Sequence, residues 1–106
     1  MGKRPHRLIK EVRKFKDRLS EKYKVDKLIL FGSRATGKHK KYSDVDLAII
    51  SKDFKNIKFL DRTRGLYLIW DLNYPVDFFC YTPKEFDKLK KQVTVIKEAT
   101  KEGIEI

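Results

Sequence analysis

Residues 31–50 read FGSRATGKHKKYSDVDLAII, and two signals for handling nucleotides overlap in them. Gly32 to Lys38 has the spacing of a Walker A loop, G-x-x-x-x-G-K-[ST], in which backbone N–H groups cradle phosphates. The same residues also read as a Gly-Ser turn followed, with ten residues between, by the Asp-x-Asp pair Asp44 and Asp46. That is a phosphate grip next to a metal site. The first reading implies an enzyme that turns over a bound nucleotide, the second one that transfers a nucleotidyl group.

The flanking residues decide between them. Lys27 to Phe31, KLILF, is a short apolar run stopped by Gly32, which predicts a strand covered on both faces. Ser33 to Gly37 has room for only a turn of helix, and Lys38 to Ser43 is a basic connector. Asp44 to Ile50, DVDLAII, is a second strand rich in β-branched residues. A P-loop needs Ser or Thr where this chain has His39, and a following helix for which the six residues between Gly37 and Asp44 leave no space. The Walker A reading fails on both counts.

Further out, Leu8, Ile9, Val12, Phe15, Leu19 and Tyr23 recur at helical spacing, predicting an amphipathic helix over His6 to Tyr23. A second helical pattern covers Asn56 to Leu72 through Ile57, Leu60, Tyr67 and Trp70, with Gly65 a weak point; Asn73, Tyr74 and Pro75 end it. Val76 to Tyr81, VDFFCY, is a third strand. Thr82-Pro83-Lys84-Glu85 then combines an N-cap, Pro at the first helical position and Glu three residues after the cap. This last helix should run to Gly103, with a break near Val93 to Ile96, leaving Ile104 to Ile106 as an edge strand. The order points to an α/β fold, a small mixed sheet with flanking helices in a single domain over residues 1–106. The helix between the second and third strands favours a parallel crossover.

Length and charge narrow the class. A chain of 106 residues supports one core, burying roughly 60 to 65% of its unfolded surface. No apolar run reaches the ~18 residues of a membrane span, and the basic N-terminus lacks a signal peptide's apolar region, so a cytoplasmic protein is expected. The single Cys80, between Phe79 and Tyr81, reads as a buried structural thiol. The net charge of +11 lies wholly in residues 1–43, with 15 Lys or Arg against 4 Asp or Glu, while residues 44–106 hold 11 of each. Such a basic half suits an anionic partner such as a nucleotide, an acidic protein face or RNA. It also suits a heat-tolerant charged surface.

In a strand Asp44 and Asp46 point to one face. Two carboxylates opening an apolar strand repel each other and lose hydration unless a cation neutralises them, and all-oxygen ligands of this kind suit Mg²⁺. Asp77 repeats the anomaly inside Val76-Asp77-Phe78-Phe79. If the second and third strands are neighbours in matched register, the three carboxylates converge and can hold two metal ions across an in-line phosphoryl displacement. Gly32 permits a tight turn, and Ser33 adds a hydroxyl beside the free N–H groups of the short helix. Arg34 is placed to reach a phosphate or to form an ion pair.

Residues 31–47, FGSRATGKHKKYSDVDL, with the later VDFF, resemble the nucleotidyltransferase superfamily that includes DNA polymerase beta, and more closely its minimal nucleotidyltransferases, the MNT-type antitoxins encoded beside HEPN-domain toxins. The resemblance covers nearly the whole chain in element order. It implies that Gly32 and Ser33 bind the terminal phosphates of the nucleotide. Asp44 and Asp46 would then ligate two Mg²⁺ ions, and Asp77 would ligate the catalytic one and help activate the attacking hydroxyl. It further implies ATP as co-substrate, transfer of AMP to a tyrosine of a HEPN-domain toxin, and a hetero-oligomer with that toxin. Thr36 stands where family members often carry Arg. The competing readings are a non-catalytic toxin-binding antitoxin, and a nucleotidyltransferase acting on RNA or a small-molecule alcohol.

Overall fold

The computed structural model describes residues 6–36, 44–92, 97 and 101–106. Within them the chain runs α1 (His6–Leu19), β1 (Val25–Phe31), α2 (Ser33–Thr36), β2 (Val45–Ser51), a 3-10 turn (Lys52–Asn56), α3 (Phe59–Arg62), α4 (Arg64–Ile69), β3 (Val76–Tyr81), α5 (Pro83–Gln92) and β4 (Ile104–Glu105). The sheet order is β3-β2-β1-β4. β2 and β3 are parallel, as the crossover between them requires, whereas β1 pairs antiparallel with both β2 and β4. The sheet is therefore mixed. The connector from Lys38 to Ser43 and the expected break at Val93 to Ile96 lie outside the described residues.

α1 takes the face that its sequence marks out. Leu8, Ile9, Val12, Phe15 and Leu19 are all buried, and they meet Leu28, Leu30, Val45, Leu47, Ile49, Phe78 and Cys80 on one side of the sheet, with Phe54 and Leu66 joining from the crossover. At about 25 cal/mol per Å² this larger core is the main source of stability. The aromatic rings interlock at its centre: Phe15 lies 5.0 Å from Trp70 and 5.7 Å from Phe78 between ring centroids. Cys80 is buried in the same core, and burial pushes its thiol up to about 12, which keeps it protonated and inert.

The other side is covered by α5, whose Phe86 packs on Ile29, Phe31, Ala48 and Ile50, with Leu89, Phe79 and Tyr81 beside it. The start of α5 is the capping box read from the sequence. Glu85 N–H donates to Thr82 Oγ1 at 3.2 Å, and Thr82 N–H donates to Glu85 Oε1 at 2.8 Å.

One expected element is corrected. The helix read over Asn56 to Leu72 is confined to the two short helices α3 and α4, which meet at Thr63 (φ −80°, ψ −25°), because Ile57 (φ −113°, ψ 129°) and Lys58 (φ −57°, ψ 141°) are extended before them and Trp70 (φ −72°, ψ 109°) leaves the helical region after them. The 3-10 turn is set by Ser51, whose Oγ accepts from Asp53 N–H at 3.1 Å and donates to the Lys24 carbonyl at 2.7 Å. Leu60, read as part of the apolar face, is 84% exposed. Gly65 sits inside α4 and is not the break.

Candidate active site

Strand alternation and register turn the open side of the sheet into three rows. The first is Phe31, Asp46 and Asp77; the second Ile29, Ala48 and Phe79; the third Lys27, Ile50 and Tyr81. Phe86 and Leu89 of α5 join the apolar residues of this side. The row holding Asp46 and Asp77 is therefore the acidic end of a surface whose middle row is apolar and whose far row carries Lys27, with Asp46 half-buried and Asp77 exposed. The two aspartates are direct partners across the parallel pair, so both side chains leave the same face, as the sequence reading anticipated. Asp44 lies immediately before β2 rather than within it, two residues from Asp46, and is exposed.

The turn at the end of β1 explains why glycine stands at position 32. Gly32 has φ +76°, a conformation that L side chains rarely adopt, and a Cβ there would collide with Asp46 Oδ2. Residue 32 thus brings bare backbone against the central carboxylate of the row. The Ala35 N–H donates to the Gly32 carbonyl at 3.1 Å, closing the turn into α2, which Ser33 opens. On the far side the Val45 N–H donates to the Pro75 carbonyl at 2.7 Å, continuing the parallel ladder to the start of both strands.

Charge accumulates at this end. Burial raises the Asp46 carboxyl to about 6, and the neighbouring charges of Asp77 and Asp44 add to the effect. No ion pair between described residues involves any of the three aspartates. Among the described residues no three His, Cys, Asp or Glu side chains are grouped so as to hold a metal ion. The donors that the three carboxylates offer are oxygen only, the kind that suits Mg²⁺.

Arg34 is buried in α2, and its guanidinium carbon lies 5.2 Å from the centre of the Tyr74 ring. It is thus fixed between the Gly-Ser turn and the loop that leads into β3. Lys38, His39, Lys40 and Lys41 lie outside the described residues.

Two residues along β3, Tyr67 beside Val76 and Arg62 beside Cys80, carry roles that the sequence pattern did not reveal. Tyr67, read as core, is 49% exposed; its ring meets Phe78 edge-on at 4.9 Å and its hydroxyl donates to the Val76 carbonyl at 3.3 Å. Arg62 is buried against β3 and pairs with Glu85 at 2.6 and 3.2 Å, while donating to the carbonyls of Ile57 at 3.0 Å and Cys80 at 3.3 Å. Its hydrogen bonds hold the Glu85 carboxyl below its ordinary range. The available signal for Arg62 was its spacing, three residues from Phe59 and four from Leu66.

Comparison with known proteins identifies the family and the fold. The pattern of the family described as "Nucleotidyltransferase domain" matches residues 12–104. The chain is 36% identical over 77 residues to "Probable protein adenylyltransferase MntA" of Haemophilus influenzae, an alignment covering 71% of this chain and 68% of that protein. Among solved structures, a candidate nucleotidyltransferase from Sulfolobus solfataricus superposes with a TM-score of 0.68 at 20% identity, over 95% of this chain and 80% of its own. BolA1 from Arabidopsis thaliana superposes with a TM-score of 0.53 at 19% identity, over 69% of this chain and 92% of its own. At such identities both structures speak to the fold alone.

Proposed function

Because the chain belongs to the nucleotidyltransferase domain family and is a transferase of nucleotidyl groups, we propose that it transfers AMP from ATP to a hydroxyl, a tyrosine of a HEPN-type toxin, and so acts as the antitoxin of a cytoplasmic pair. The observation that carries this reading is the acidic row, in which Asp46 and Asp77 are register partners at the end of the open face and Gly32 is packed against Asp46.

Each residue then has a task. Asp44, Asp46 and Asp77 would hold two Mg²⁺ ions, whose charge, when bound, offsets that of the phosphate oxygens. Gly32 lets the turn approach the site without a side chain, and the N–H groups and hydroxyl of Ser33 hold the terminal phosphates of ATP. Arg34 borders the same phosphates, fixed against Tyr74. Asp77, on the outer strand, takes the proton of the acceptor hydroxyl as its oxygen attacks the α-phosphorus; the bond to the β-phosphate breaks and pyrophosphate leaves. The similarity to a protein adenylyltransferase supports a protein acceptor.

The test is incubation with each nucleoside triphosphate, Mg²⁺ and a HEPN-domain partner, followed by intact-mass measurement of both proteins. Gain of AMP on the partner, from ATP and on tyrosine, is the expected result. Inhibition of the partner without any mass gain would replace this reading with a stoichiometric one, and label recovered on RNA would move the acceptor.

A further inference from the structure

Among the described residues, the exposed aspartate of the site stands on a strand with only one neighbour. β3 is the outer strand of the sheet, and Asp77 is its second residue. The Pro75 carbonyl points to β2, where it accepts from Val45 N–H. By strand alternation the Val76 carbonyl and the Phe78 N–H point the other way, off the sheet. A carboxylate carried there gains no support from a second strand.

The support comes from Tyr67. Its hydroxyl donates to the Val76 carbonyl at 3.3 Å. One oxygen thus takes the place of a partner strand at the peptide group that leads into Asp77. The ring is fixed in turn by Phe78, 4.9 Å away and at 67° to it. A core tyrosine needs no such arrangement, and a half-exposed one gains little stability from it, whereas any rotation of the peptide units on either side of residue 77 would redirect the carboxylate.

We propose that Tyr67 is a positioning residue for the transfer reaction: by bonding the Val76 carbonyl and packing its ring on Phe78 from the free edge of β3, it fixes the backbone that carries the Asp77 carboxylate beside Asp46 and the metal they would share. The inference rests on the role given to Asp77 under the proposed function. Residues that orient metal ligands from outside the ligand shell typically change metal affinity or activity by about 10- to 100-fold when removed, and Tyr67 acts here through the backbone.

Tyr67→Phe tests it, because the ring stays on Phe78 and only the clamping oxygen is lost. The full chain is titrated with Mn²⁺, followed by electron paramagnetic resonance, alongside Asp77→Asn, and the amide exchange of Asp77, whose peptide unit carries the bonded carbonyl, is measured in parallel. The expected result for Tyr67→Phe is faster exchange at Asp77 and a loss of Mn²⁺ affinity of about 10- to 100-fold, at a melting temperature near that of the parent. Transfer measured with saturating ATP should show a lower kcat, with the KM for ATP little changed. Parental Mn²⁺ affinity in Tyr67→Phe, with affinity lost in Asp77→Asn, would overturn the clamp and leave the carboxylate site standing. Parental affinity in Asp77→Asn would remove the site itself. A fall in melting temperature with unchanged Mn²⁺ affinity would reduce Tyr67 to a structural residue and also overturn the proposal.

Discussion

The two faces of the sheet are built from the same three long strands and differ in how far their cover extends. On the closed face the rows from Leu30, Leu47 and Phe78 to Leu28, Ile49 and Cys80 are apolar, under α1 and the crossover. On the other face α5 meets an apolar surface that gives way, at the ends of the strands, to Asp46 and Asp77. Moving one residue along a strand exchanges these environments. A site of this kind is thus a place where burial stops while the strands continue: the backbone is held by the closed face, and the carboxylates remain available to ligands. Rigidity and access come from opposite sides of one layer.

The comparison can be broken first on the open face. Asp77→Asn or Asp46→Asn should lower nucleotidyl transfer by at least about 10²- to 10³-fold, the cost of losing one electrostatic contact made to the reacting group, with circular dichroism unchanged. Retained transfer in either folded variant would remove the acidic row from the chemistry. In the metal-free protein the Asp46 substitution should also alter the pH dependence of stability. Its carboxyl sits near 6 in the fold against an ordinary 3.8. The folded state therefore binds the proton more tightly, and this contribution is present below about pH 4 and lost as pH rises through 6. Asp46→Asn should abolish that decline and melt higher than the parent above pH 6.

On the closed face the effect should be one of stability alone. Phe15→Ala, which removes a fully buried ring from between Trp70 and Phe78, should cost about 3–5 kcal/mol in denaturant unfolding. Whatever folded protein remains should retain the Mn²⁺ affinity of the parent. A large loss of that affinity would show that the faces are not separable. Gly32→Ala joins the two effects, since the residue has a positive φ and its new Cβ meets Asp46. A cost of about 1–3 kcal/mol and a marked loss of transfer are expected, read by denaturation and by the mass assay. The smallest effect should be at the cover itself: Thr82→Ala removes the cap of α5 and should cost about 1 kcal/mol, with the KM for ATP unchanged.

Much of this was legible from one strand period. The alternation of Asp44, Val45 and Asp46 and the single charge in Val76 to Tyr81 predict which side chains share a face, and the parallel crossover then brings Asp46 opposite Asp77. The capping box of α5 and the edge strand at Ile104 were equally readable, because caps and turns are local chemistry. The crossover helix was not. Its apolar residues satisfy a helical period, yet Leu60 and Leu68 face solvent, since the segment has to bend around the free edge of β3 and use Arg62 and Tyr67 there. Hydrogen bonds from side chains to a distant strand leave no periodic trace. The exposure of Tyr67 follows from the same cause.

The bonds made by Arg62 and Tyr67 also bear on how the chain behaves in a crowd of its own copies. An outer strand with open carbonyls and amides is a template on which further strands add, the usual start of edge-to-edge association. Along β3, Tyr67 occupies the outward carbonyl of Val76, and Arg62 occupies that of Cys80. The opposite edge is the two-residue β4, too short to seed a ladder. Among the described residues, two outward carbonyls of one edge are taken by side chains and the other edge is short, so concentrated protein should resist fibre formation, and Arg62 and Tyr67 are the positions at which that resistance would be weakened.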